Sequence, residues 1–338
     1  MKSFKMKLKY SIYGFVYLLV FLQSGEIQSQ NYRTPTAYMD DFEKNESYVK
    51  ESLIEYSTSV LYNYKDSRTN STLERIYKKL EAINTNLIKN DIGYLGDTSL
   101  RDAFLKMNNS TITQLKNKSL RLNDIEDKKS LDFSEIIRCF AIRHQEIVNY
   151  YSIIVDYSNC KRIFSKKNKI ETDRYFNNKN LFEYDAHQSL IFFKLNVLDA
   201  KLCDLLLTTD AENVSKCIFY LNQVCEESKI QTEKYKKIYI DHSLNNANIE
   251  YITFLVYQNE KLIPLYKDYI QIVNKLNILK KNLNNKNEIE IENYNEEVRL
   301  LNSSKNTFFD SYNSIQIQKK ELIDKWQKLK SNFYKKNL

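Results

Sequence analysis

Glycine and proline are almost missing from this sequence, with four and two in 338 residues, where an average chain holds about 7% and 5%. β-Sandwiches and α/β enzymes place these residues at many turns, so their scarcity excludes an architecture of many short elements. Global disorder is excluded as well, because 42% of the residues are hydrophobic and 28% charged, enough apolar side chain to build a core. What remains is an all-α chain of few, long helices.

Chemical signatures are equally sparse. HExxH, P-loop and GxSxG sequences do not occur. Three positions before His144, His187 and His242 stand Ala141, Tyr184 and Tyr239, so the Glu-x-x-His pairs of di-iron bundles are missing. Glu183 and His187, one helical turn apart, read as an ordinary side-chain pair rather than half of a metal site. His144 lies on an apolar stripe and reads as a satisfied core histidine. Cys139, Cys160, Cys203, Cys217 and Cys225 match no CxxC or zinc spacing. No cofactor and no metal are implied.

The first thirty residues carry the three parts of a secretory signal. Lys2, Lys5, Lys7 and Lys9 form a basic start, "YSIYGFVYLLVFL" (10–22) an apolar stretch, and "QSGEIQSQ" (23–30) a polar end. The apolar stretch is shorter than the roughly twenty residues a bilayer-spanning helix needs. Residues 1–29 are therefore expected to be removed, an uncleaved anchor being the alternative. They hold four lysines and one glutamate, so the formal charge of +8 falls to +5 without them. That residual charge is mild and dispersed, which argues against nucleic acid as a partner.

Helical stripes follow from Pro35. Tyr38, Phe42, Val49, Leu53, Tyr56, Val60 and Tyr64 form the first, broken at "KDSRTNS" (65–71); Leu73, Ile76, Leu80, Ile83 and Leu87 form the second. A third helix from Ser99 carries Leu100, Phe104, Met107 and Leu115, and a fourth runs through Phe133, Ile137, Phe140, His144, Ile147, Tyr151 and Ile154. The second half repeats this order: a helix over 181–207, a stop at "TTDAEN" (208–213), a further stripe from Val214, a connection at "IDHSLNN" (240–246), a helix that Pro264 should kink or interrupt, a linker at 280–288 and a last helix reaching Trp326. The expected architecture is about eight helices in two related four-helix up-down units, 30–168 and 169–338.

Gly93 and Gly96, the glycines beyond the signal region, both fall in "DIGYLGDTSL" (91–100). Gly93 suits the left-handed residue that closes a helix, Gly96-Asp97 a turn, and Thr98 or Ser99 the cap of the next helix, with Ser99 and Asp102 approximating a capping box. Gly93, Tyr94, Gly96, Asp97 and Thr98 also form a candidate partner-binding loop, with backbone amides available and Tyr94 exposed. The stretch "GYLGDTSLRDAFLKM" (93–107), through Tyr94, Gly96, Asp97, Leu100 and Arg101, resembles the helix junction of an uncharacterised group of bacterial surface proteins from leptospires and Bacteroidetes. The resemblance implies an exported helical protein and says nothing of mechanism.

Three further features bear on function. Cys203 and Cys217 flank "TTDAEN" at similar distances, so a disulfide across a helical hairpin is a candidate in an oxidising compartment. Twenty-six tyrosines against seventeen phenylalanines suit either an interface or a core. "KKELIDKWQKLKSNFYKKNL" (319–338), with Leu322, Trp326, Leu329 and Phe333 on one face, suits a membrane-surface helix or a helix docked on its own core. Together these point to an exported periplasmic, cell-surface or extracellular module that is non-enzymatic and contacts a protein or envelope component. An envelope enzyme with a site between the two units and a lipid-binding helical protein are the alternatives.

The order of basic, apolar and polar parts predicts a mature N-terminus near residue 30. Terminal sequencing of protein taken from its native cell checks this, and an intact Met1 would overturn it.

Overall fold

A computed structural model describes residues 32–63, 67–116, 128–171, 180–282 and 288–337, with side chains left out at 56–63, 67–70, 282 and 337. The signal region and Tyr64 lie outside the described residues. Those described form eight long helices and no strand: α1 Pro35–Asn63, α2 Ser67–Asn90, α3 Ser99–Lys116, α4 Phe133–Lys167, α5 Leu181–Leu206, α6 Ala211–Lys236, α7 Ser243–Asn282 and α8 Glu288–Asn337. The protein is all-α.

Local chemistry sets the helix starts. Thr34 accepts the Ala37 N–H at 3.1 Å in front of Pro35, whose missing N–H costs nothing at a first helical position. Asp132 Oδ1 accepts the Glu135 N–H at 2.8 Å while the Glu135 carboxylate accepts the Asp132 N–H at 3.3 Å, a reciprocal capping box for α4. Asn180 caps α5 by accepting from Phe182 and Glu183, and Asp210 caps α6 by accepting from Asn213. At the far end of α4, Lys169 takes a left-handed φ of 53° and the Ile170 N–H reaches back to the Ser165 carbonyl at 3.0 Å, closing the helix in Schellman fashion.

Two compact units result, and they do not divide at residue 168. The first draws on residues up to Tyr56, Asp66–Asn117 and Ser152–Phe176; the second on Ser57–Lys65, Lys118–Tyr151 and Asn177–Leu338. Helix α4 therefore gives its second half to the first unit and its first half to the second. In the first unit the core is built from Tyr38 and Phe42 of α1, Ile76 and Leu80 of α2, Leu100 and Phe104 of α3, and Tyr157 and Phe164 of α4. The start of α1, the end of α2, the start of α3 and the end of α4 meet at one end of this unit, through Tyr38 with Asp91, Cys160 with Ser99 and Lys167 with Asp97.

The second unit is built around α5, in which residues 187–193 and 195–199 are all buried. More than one full turn without exposure means that α5 is enclosed on every face. Its apolar side chains pack with α6, α7, α8 and the first half of α4, and Trp326 of α8 stacks on Phe192 at 4.0 Å. Phe333 is buried and Leu322 and Leu329 pack on the same core. The apolar face of the C-terminal helix is thus occupied by the protein itself. Five helical segments share this core, so it does not copy the first unit's plan.

Two local expectations change. Residues 67–71 are helical, so "KDSRTNS" does not act as a break over its whole length. Pro264 does not interrupt its helix: α7 runs through it from Ser243 to Asn282, because buried neighbours on both sides, Leu262 and Tyr266, hold the helix to the core. The proline itself is exposed, yet it removes one backbone bond. Replacing it with alanine is therefore expected to stabilise the second unit by about 1–3 kcal/mol. Urea unfolding of Pro264→Ala checks this, and an unchanged or lower midpoint contradicts it.

Candidate functional site

The loop after α2 is built on a buried carboxylate. Asp91 Oδ1 accepts the Gly93 N–H at 2.7 Å and Oδ2 accepts the Tyr38 hydroxyl at 3.2 Å, while Arg101 Nη1 donates to the Asp91 carbonyl at 2.6 Å. Asp91 is 2% exposed. Burial raises its carboxyl above the ordinary range, and the bonds from Gly93 and Tyr38 oppose that rise. These contacts pin the chain directly after α2 ends.

Gly93 then turns with φ of 85°, and a Cβ on it would stand 2.5 Å from the carbonyl carbon and oxygen of Asp97. Only glycine fits. Over Tyr94–Asp97 the Asp97 N–H returns to the Tyr94 carbonyl at 3.1 Å, with Leu95 at φ 52° and Gly96 at φ 82°. Two successive positive φ values make this a type I′ turn. Gly96 has open space around it, so its requirement is conformational rather than steric.

Asp97 locks the other side. Its Oδ1 accepts the Ser99 N–H at 3.1 Å and its Oδ2 takes the Lys167 ammonium at 2.6 Å. Those bonds, Lys167 first, hold its carboxyl down at about 2, so the Asp97 carboxylate stays ionised at pH values well above that. The Thr98 hydroxyl donates to Asp102 at 2.8 Å, so the side-chain pair at the start of α3 is Thr98 with Asp102 rather than Ser99 with Asp102.

All five residues expected to form the loop, Gly93, Tyr94, Gly96, Asp97 and Thr98, are brought together in this one turn. Their roles differ from expectation in one respect. Tyr94 is half-buried, its ring 6.2 Å from Tyr38 and 6.1 Å from Phe164, because an aromatic ring beside the core gains more from packing than from water. Leu95 is the side chain presented outward, at 90% exposure. An L-residue with a branched side chain in the left-handed region costs about 1–2 kcal/mol, and here no burial offsets that cost. Leu95 is not among the residues expected at this site, although its place between Tyr94 and Gly96 at the turn centre is a signal in the sequence.

Elsewhere the chemically able side chains hold helices together. Asp199 of α5, fully buried, accepts from the Tyr251 hydroxyl at 2.8 Å, Gln258 Nε2 at 2.7 Å and Lys319 Nζ at 3.1 Å. Lys319 and Gln316 also donate to Cys203 Sγ, at 2.9 and 3.3 Å. Cys203 and Cys217 are free cysteines, so the candidate disulfide is not formed. Each thiol has its own partner, the Cys217 Sγ–H donating to the Leu198 carbonyl at 3.3 Å. Burial pushes them up to about 11 and about 12, which keeps both protonated and unreactive.

His187 stacks on Tyr235 at 4.9 Å and lies 6.1 Å from His144 ring to ring. Burial, and then the His144, Lys234 and Lys194 charges, lower its pKa to about 4. His144 Nδ1 has no hydrogen-bond partner, so this histidine is less satisfied than its stripe suggested. Among the described residues no three His, Cys, Asp or Glu side chains converge as a metal centre, and no helix is long and apolar enough to cross a membrane.

The two glycines offer a direct check on the loop. Gly93→Ala should cost about 2–5 kcal/mol, the sum of a left-handed penalty and a backbone clash. Gly96→Ala should cost roughly 1 kcal/mol, because only the conformational penalty applies and the unfolded chain loses some freedom. Thermal unfolding of the two variants should rank them in that order; equal losses would contradict the geometry.

Comparison with protein-family models, with curated proteins and with solved structures finds no match to this chain.

Proposed function

We propose that this chain is a non-enzymatic helical module of the secretory route or cell envelope, acting by contact through the glycine turn of its first unit. The observation that carries this reading is Leu95. Its surroundings are fixed by Asp91, Arg101 and the Asp97–Lys167 pair, yet its own side chain is held outward in a costly conformation with nothing to pack on. Strain kept on a rigid frame is a mark of a contact residue. Support also comes from the second unit, where the buried Asp185, Asp199, Cys203 and Lys330 and the partly buried Lys319 are committed to joining α5 with α7 and α8.

Leu95→Asn separates stability from function, since asparagine tolerates the left-handed region. The variant is expected to gain about 1 kcal/mol and to lose its contact. In the native cell, a photo-crosslinking side chain at position 95 should give several times the adducts of one at Ile230, which is also exposed. Equal yields, or a Leu95→Asn protein that competes as well as the original, would overturn the proposal.

A further inference from the structure

We infer that the surface contacted by this turn is an anionic lipid surface, an inference that rests on the contact reading just given. Four aliphatic side chains stand exposed at this end of the first unit: Ile88 at 65%, Ile92 at 52%, Leu95 at 90% and Ile163 at 64%. Ile163 sits one turn before Lys167, the residue bonded to Asp97, and one turn after Cys160, whose thiol donates to the Ser99 carbonyl at 3.4 Å. These side chains therefore border one tip.

The exposed charge around the tip is mostly positive. Arg33, Lys89, Lys166 and Lys169 are exposed, each within two residues of a side chain that touches the turn or Tyr38 beneath it. The acids nearby are committed: Asp41 accepts from Tyr32, Asp91 is buried under Tyr38, Asp97 is held by Lys167 and Asp102 by Arg101, with Glu171 left at the edge. Aliphatic side chains ringed by lysine and arginine complement lipid headgroups of negative charge over an apolar layer. A protein-binding centre draws instead on tryptophan, tyrosine and arginine, and here the one aromatic ring of the turn, Tyr94, faces inward.

Chain direction agrees. Tyr32 brings the backbone into the first unit at this same end, its ring 4.8 Å from Tyr38. The apolar stretch 10–22 closes ten residues earlier, and ten residues reach at most about 35 Å. In the uncleaved form, a bilayer that receives that stretch lies within that distance of Tyr32, at this same end of the first unit.

The test uses the full-length chain carrying Leu95→Trp, with vesicles of phosphatidylcholine alone or half phosphatidylglycerol. Trp326 is the natural tryptophan and is buried, so the unsubstituted chain supplies a constant background even if residues 10–22 themselves bind vesicles. Anionic vesicles should shift the new emission to shorter wavelength, and acyl-brominated lipid should quench it. Adding Lys166→Glu and Lys169→Glu, or ~0.5 M salt, should weaken the response several-fold. Ile92→Trp repeats the measurement should the first variant fold poorly. No shift with anionic vesicles, or an equal shift with neutral ones, overturns the lipid assignment. If position 95 then crosslinks selectively to a protein in the native cell, the contact reading stands without lipid; if it crosslinks to nothing, both fall.

Discussion

A carboxylate removed from water has to be compensated where it sits, and this requirement organises both units. Leaving one uncompensated costs several kcal/mol. Asp91 meets the requirement through Tyr38 and the Gly93 amide, Asp199 through Tyr251, Gln258 and Lys319, and Asp185 through Tyr334 and Lys330. In each case a tyrosine hydroxyl reaches the acid from elsewhere in the chain. The abundance of tyrosine thereby acquires a structural explanation: its ring fills core volume while its hydroxyl answers a charge. Because Asp199 is answered from α7 and α8 together, it also fixes which faces of those helices turn toward α5.

Helices were the legible part of this protein, and their partners were not. The stripe Leu73, Ile76, Leu80 and Leu87 states its own period, and α5 appears as an apolar run between two turn sequences. Nothing local to Asp199 announces Lys319, more than a hundred residues away, because a compensating charge is found in space. The same reason hid the discontinuous first unit. Residues 118–151 follow α3 directly in the chain, but Phe140 packs with Phe193 and belongs to the second core. Pairing of Cys203 with Cys217 looked natural along the chain; in space, each thiol meets a different neighbour.

The turn at 91–99 shows what can and cannot be read from a short stretch. Two glycines in a helical chain mark the place where the backbone must leave ordinary conformations, and that much was visible. Which neighbour shares the left-handed geometry follows only from the hydrogen bond between Asp97 and Tyr94. The outcome changes the expected role of Tyr94, whose ring turns toward the core, and leaves the unforeseen Leu95 as the side chain outside.

Helix α4 has a consequence for how the molecule is made. Its second half completes the first core with Tyr157 and Phe164, so α1–α3 emerge during synthesis with Phe42 and Phe104 lacking their final cover. At about 5–20 residues per second, closure waits for the segment 118–151, which itself belongs to the unit still to come. Domains made in sequence usually finish one before the next begins. Here the earlier one waits for a helix whose first half belongs to the later, so the two assemble as interleaved events, with the apolar faces of α1–α3 short of their final cover in the interval.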